Sequence, residues 1–116
     1  MRILFVLFFA LLPSLAMAAD RVALVIGMSN YKTVVKLDNT LNDARGISKT
    51  LRDIGFQVTT ALDTKGETLR TIVEEFSFRS ETADLALIYF AGHGVEVQGE
   101  NFLIPIDSDV KSNKDI

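Results

Sequence analysis

The sequence predicts an α/β domain with a mainly parallel sheet between two layers of helix, and three observations lead there. Val22 to Gly27 (VALVIG) and Leu85 to Phe90 (LALIYF) are short apolar runs without alternation, the pattern of strands covered on both faces. Between them, apolar residues recur twice at helical spacing. Strands that alternate with helices in this way pair in parallel through right-handed crossovers, which place helices on both faces of the sheet.

VALVIG is the first and central strand. After a polar loop containing Asn30 and Tyr31, the stripe Ala44, Ile47, Leu51, Ile54 predicts a helix from about Leu41 to Ile54, and Gly55 stands where a helix end needs it. Phe56 to Leu62 is β-rich with partial alternation, hence a second strand nearer an edge. Thr64 and Glu67 have the spacing of a capping box, so a helix should begin there. Its stripe is Leu69, Ile72, Val73 and Phe76, fading near Ser77 to Ser80. LALIYF is the third strand. Val95 to Val97 and Phe102 to Ile104, joined by Gln98-Gly99-Glu100-Asn101, read as a hairpin. No closing element follows in the polar stretch from Ser108 to Ile116.

Residues 1–18 stand apart from this core. Met1-Arg2, an apolar run from Ile3 to Leu15, and Ala16-Met17-Ala18 have the form of an export signal. The run is shorter than the roughly 20 residues a membrane-spanning helix needs. Cleavage after this segment is the main expectation, retention as an anchor the alternative; export would make the product periplasmic or extracellular, touching membrane only through the signal. Residues 19 to 116 then form one domain.

Composition excludes several classes of function. The net charge of −3 is spread over interspersed acids and bases, without the clustered Lys and Arg of a nucleic-acid binder. Cysteine is absent, which removes any disulfide framework and, within these residues, any thiol nucleophile. The acids are scattered, so neither a metal nor another cofactor is implied. Gly27-Met28-Ser29-Asn30 lacks the glycine spacing of a phosphate loop.

The chemistry-bearing candidate is His93, the only histidine, set between Gly92 and Gly94 after the third strand. Ligands of open α/β sheets bind beyond the carboxyl ends of the strands. There a histidine can serve as a general base near neutral pH, and the Gly94 N–H can point at a developing oxyanion. The glycines would let the backbone turn sharply and admit close approach of another molecule. Equally, His93 can simply cap a strand end. Local physics leaves the two readings even.

Tyr89-Phe90-Ala91-Gly92-His93-Gly94, the hairpin, and Asn101-Phe102-Leu103-Ile104-Pro105-Ile106-Asp107 resemble the caspase-like cysteine peptidases, in particular metacaspases, paracaspases and their bacterial relatives. The likeness includes Arg21 to Gly27 with Asn30-Tyr31, Leu41-Asn42-Asp43-Ala44, and the helix end from Leu51 to Gly55. It implies a caspase-like three-layer α/β/α fold and an endopeptidase acting on peptide or protein substrates. His93 would be the base of a Cys-His dyad and Gly94 would supply one oxyanion N–H. Asp43 would form part of an acidic pocket selecting Arg or Lys at the cleaved bond. Asp43 is also placed to act only as a first-turn acid favouring the helix dipole. Asp38, Asp63, Asp107 and Asp109 read as loop and turn acids.

The chain departs from that pattern in its missing nucleophile. A caspase cysteine follows the histidine by about 50 residues, roughly position 143, past Ile116. The expectation is an N-terminal piece of a longer peptidase, truncated before the strand carrying the cysteine and inactive as it stands. The alternative is a non-catalytic caspase-like pseudo-enzyme or interaction module. Substrate identity, calcium dependence, zymogen processing and oligomeric state are open from sequence.

Overall fold

The computed structural model describes residues 19–109. The segment read as an export signal and the tail from residue 110 onward lie outside the described residues. The elements run β1 (Arg21–Gly27), α1 (Thr40–Asp53), β2 (Gln57–Leu62), α2 (Gly66–Ser80), β3 (Leu85–Ala91), β4 (Gly94–Val97) and β5 (Glu100–Leu103). β1 is central in a parallel sheet of order β2-β1-β3, and β4 pairs antiparallel with β5.

Alternation along β1 sends its side chains to two cores. Val22, Leu24 and Ile26 join Leu69 and Phe76 of α2, with Met28, Tyr31, Ala61 and Ile104. Ala23 and Val25 join Ala44 and Leu51 of α1, with Phe56. The sheet therefore carries a helix on each face, the expected α/β/α layering. Strand β2 is the half-exposed edge that its partial alternation predicted.

Helix α1 ends as its sequence requires. Gly55 takes the left-handed conformation (φ +97°), with the Gly55 N–H on the Arg52 carbonyl at 3.0 Å and the Phe56 N–H on Leu51 at 2.9 Å. These are the two bonds of a Schellman motif. Arg21 adds a bond from its guanidinium to the Ile54 carbonyl at 2.7 Å, tying this helix end to the start of β1. At the same sheet end, Arg79 of α2 forms a bidentate pair with Asp20 at 2.8 and 2.9 Å, and holds that carboxyl below the usual carboxylate range.

Three expectations need correction. The capping box at α2 does not form: the N-cap is Lys65 without a side-chain bond, and Thr64 is buried with its hydroxyl unpaired. Asp107, far off in sequence, accepts the Gly66 N–H at 2.8 Å instead. A carboxylate there also favours the positive helix end, so a distant residue replaces the local cap. The hairpin turn is shorter than expected, using only Gln98 (φ +51°) and Gly99 (φ +80°), the pair of positive φ values of a type I′ turn. Finally, β3 is only partly covered on either face, although Phe90 packs against the α2 core. Leu87 and Tyr89 pack against the α1 layer, whereas Leu85 and Ile88 are 50% and 56% exposed. Among the described residues nothing pairs with the outer edge of β3.

An apolar strand with an open edge templates association. Residues 19–109 produced alone should self-associate in light scattering, and Ile88→Lys should lower that association. A monodisperse monomer at high concentration would contradict this.

Candidate active site

All three strands of a parallel sheet end on one side, and here they are locked together. The Met28 N–H donates to the Ala91 carbonyl and the Asp63 N–H to the Gly27 carbonyl, both at 2.8 Å, extending the ladders one residue past the strands. The three exits are Met28-Ser29, Asp63 and Gly92-His93. Helix α1 starts at the same edge: a Cβ on Gly27 would stand 2.7 Å from the Ala44 Cβ and 3.1 Å from the Thr40 carbonyl oxygen. Only glycine permits that approach.

His93 is half-buried and held at two points. Its main-chain N–H donates to the Tyr31 hydroxyl at 2.8 Å, and its ring meets the Tyr31 ring edge-on, with centroids 4.8 Å apart. Its Nε2 lies 2.8 Å from the Val35 carbonyl oxygen. A carbonyl only accepts, so Nε2 carries the proton. In the neutral ring the lone pair then lies on Nδ1, free to take up a proton. Tyr31 is buried, which pushes its hydroxyl pKa up and keeps it protonated, against the weaker opposing effect of the His93 N–H.

The chain bends at Gly92, as expected, without a left-handed backbone. Neither Gly92 nor Gly94 has a positive φ. At Gly92 the reason is space: a Cβ would lie 2.6 Å from the Tyr31 hydroxyl and 2.7 Å from Phe90 Cζ. Gly92 thus makes room for the tyrosine that holds the next residue. At Gly94 the ladder decides. Ile104 donates to the His93 carbonyl at 3.0 Å, so His93 and Ile104 are a hydrogen-bonded pair and Gly94 with Leu103 the non-bonded pair after it. The Gly94 N–H points away from β5 and stands beside the imidazole in sequence.

Asp43 lies on the exposed side of the first turn of α1, and its carboxylate takes no hydrogen bond or ion pair among the described residues. Its neighbour Ala44 packs at the end of β1, so this turn shares the sheet edge with His93. No contact joins Asp43 to His93.

Two contributors escaped the sequence reading. Val35 acts through its carbonyl, which no side-chain pattern announces. Asp63, read as a loop acid, accepts the Ser29 N–H at 2.7 Å, the Asn30 N–H at 3.1 Å and the Asn30 side-chain amide. Burial alone would raise its pKa, but those bonds and the Lys36 charge outweigh it and leave the carboxyl below its usual range. Its place at the end of a parallel strand, the edge that holds His93, was the available signal.

Residues 20–115 match the caspase domain family. The chain belongs to that family. Within the caspase domain it is 37% identical over 92 residues to the Homo sapiens mucosa-associated lymphoid tissue lymphoma translocation protein 1, covering 79% of this chain and 11% of that protein. To the Mus musculus homolog it is 35% identical over 92 residues, with the same coverage. The chain therefore spans about a tenth of the length of the curated relatives it matches.

Gly92→Ala should destabilise the chain by about 1–3 kcal/mol through overpacking, read as a lower urea midpoint, and release the Tyr31 contact. An unchanged midpoint would refute the close approach. The Asp63 carboxyl, lowered in the folded state, contributes stability in full above its unfolded value of about 3.9 and loses it as pH falls through the folded value. Amide protection at Ser29 and Asn30, corrected for the slower intrinsic exchange at lower pH, should fall in that acid window.

Proposed function

We propose that this chain is the histidine-bearing part of an exported caspase-like cysteine endopeptidase that cleaves peptide bonds after Arg or Lys. The supporting observation is the hydrogen bond between His93 Nε2 and the Val35 carbonyl. It leaves Nδ1 as the nitrogen able to act as base, beside the outward N–H of Gly94. The thiol comes from a cysteine beyond Ile116, since the chain contains none. The signal-like pattern of residues 1–18 supports a location outside the cytoplasm, periplasmic or extracellular.

In the reaction, Nδ1 accepts the thiol proton and the thiolate attacks the scissile carbonyl carbon. Charge develops on the carbonyl oxygen, where the Gly94 N–H and the main-chain N–H of the cysteine donate. The imidazolium then gives its proton to the leaving amine, which departs as the acyl-enzyme forms. Water, giving its proton to Nδ1, hydrolyses the thioester. Throughout, Nε2 remains on Val35, so the ring exchanges protons without turning. The exposed Asp43 carboxylate receives the cationic side chain before the cleaved bond; a site whose carboxylate is free can take a guanidinium bidentately.

A second reading, a non-catalytic interaction module of the same fold, draws on the absence of cysteine. Expression of the protein encoded by the complete reading frame, assayed on arginyl, lysyl and aspartyl peptides, separates the two. His93→Ala should lower kcat about 10²- to 10⁴-fold, the usual contribution of a general base. Asp43→Asn should lower kcat/KM for arginyl peptides about tenfold or more, with little effect on kcat. Undiminished cleavage by His93→Ala would eliminate the assigned base; no cleavage by the unaltered protein would favour the module.

A further inference from the structure

The two groups that hold His93, the Tyr31 hydroxyl and the Val35 carbonyl, both belong to the loop between β1 and α1. That loop is closed on itself at Ser29. The Ser29 carbonyl accepts the Tyr31 N–H at 3.0 Å and the Leu37 N–H at 3.2 Å, while the Ser29 hydroxyl donates to the Leu37 carbonyl. The closed loop is stitched to the strand after β5 by Lys32 N–H on the Ile106 carbonyl and by Thr33 Oγ1 on the Ser108 carbonyl, both 2.8 Å. Its base, Ser29 and Asn30, bonds to a single ionised side chain, Asp63. Asp63 is itself fixed by its N–H on the Gly27 carbonyl and by a left-handed backbone (φ +46°).

Resting on the reading of His93 as the base, we propose that Asp63 is a positioning residue which, through the Ser29–Leu37 loop, sets the tautomer and orientation of the His93 imidazole. Asp63 does not touch His93. Its carboxylate gathers the three donors at the loop base, and the loop then presents one hydroxyl and one carbonyl to the histidine at fixed distance. A short side chain at the end of β2 is the only one in the described residues bonded to this base, so the aim of the base nitrogen depends on a strand that never meets it. Hydrogen bonds to a charged acceptor are the stronger kind, which suits an anchor that must hold a long loop without a covalent link.

Because His93 is the only histidine, ¹⁵N-histidine labelling reports one imidazole, and the full chain can be measured in solution or, if it sediments, by magic-angle spinning. Cleavage plays no part in this readout. The unaltered chain should show a single Nε2–H tautomer in the neutral ring. Asp63→Ala should convert this into a mixture of tautomers, with exchange of the His93 main-chain amide about tenfold faster or more, as expected for losing charged-acceptor bonds. Asp63→Asn keeps one accepting oxygen and should fall between, which preserves the test where the alanine variant does not fold. Asp53→Asn, at an exposed pair with Lys49, should match the unaltered chain. A folded Asp63→Ala or Asp63→Asn chain with an unchanged single tautomer overturns the positioning role while leaving His93 as base. An unaltered chain with the proton on Nδ1 overturns both.

Discussion

Burial of β1 on both faces is the constraint from which the rest follows. From Val22 to Ile26 the strand is shielded at every residue, with Leu24, Val25 and Ile26 fully enclosed. Such a strand needs a helix over each face and a hydrogen-bonded partner at each edge, because unpaired buried peptide groups are costly. Parallel partners and right-handed crossovers then bring three chain exits to one side. The site is built there because the chain has to leave the sheet there.

At that edge, close packing and polar bonding divide the work. Gly27 lets α1 approach, Gly92 lets the Tyr31 hydroxyl approach, and both act by absence of a side chain. Asp63 and Asp107 act by charge, the first gathering the loop after β1 and the second capping α2. The segment after β5 reaches the β1 loop through Ile106 and α2 through Asp107, tying the loop that holds His93 to the start of α2. The opposite edge, where Asp20 and Arg79 pair, serves to hold the layers together and carries no such arrangement.

Elements with strong local signals were legible in the sequence. VALVIG and the α1 stripe ending at Gly55 form where periodicity and turn chemistry place them, and the hairpin forms with a tighter turn, Gln98-Gly99, than its four-residue link suggested. What failed was every inference in which a local partner competed with a distant one. Thr64 and Glu67 had the spacing of a cap, but Asp107 folds back and takes the donor. LALIYF has the composition of a covered strand, yet composition cannot say whether a cover is present. The site divides in the same way: His93 and Gly94 were visible as residues, while the Val35 carbonyl that receives the Nε2 proton is backbone, and Asp63 meets Ser29 and Asn30 only when β2 lies beside β1.

The proposed reaction requires Nδ1 of His93 to face the nucleophile while Nε2 stays on the Val35 carbonyl. The most direct measurement is a crystal structure of the complete protein alkylated by an arginyl-peptide electrophile. The account predicts the label on a cysteine whose sulfur faces Nδ1, with Nε2 still bonded to Val35. Nε2 facing the sulfur, or a label on a residue remote from His93, would contradict it.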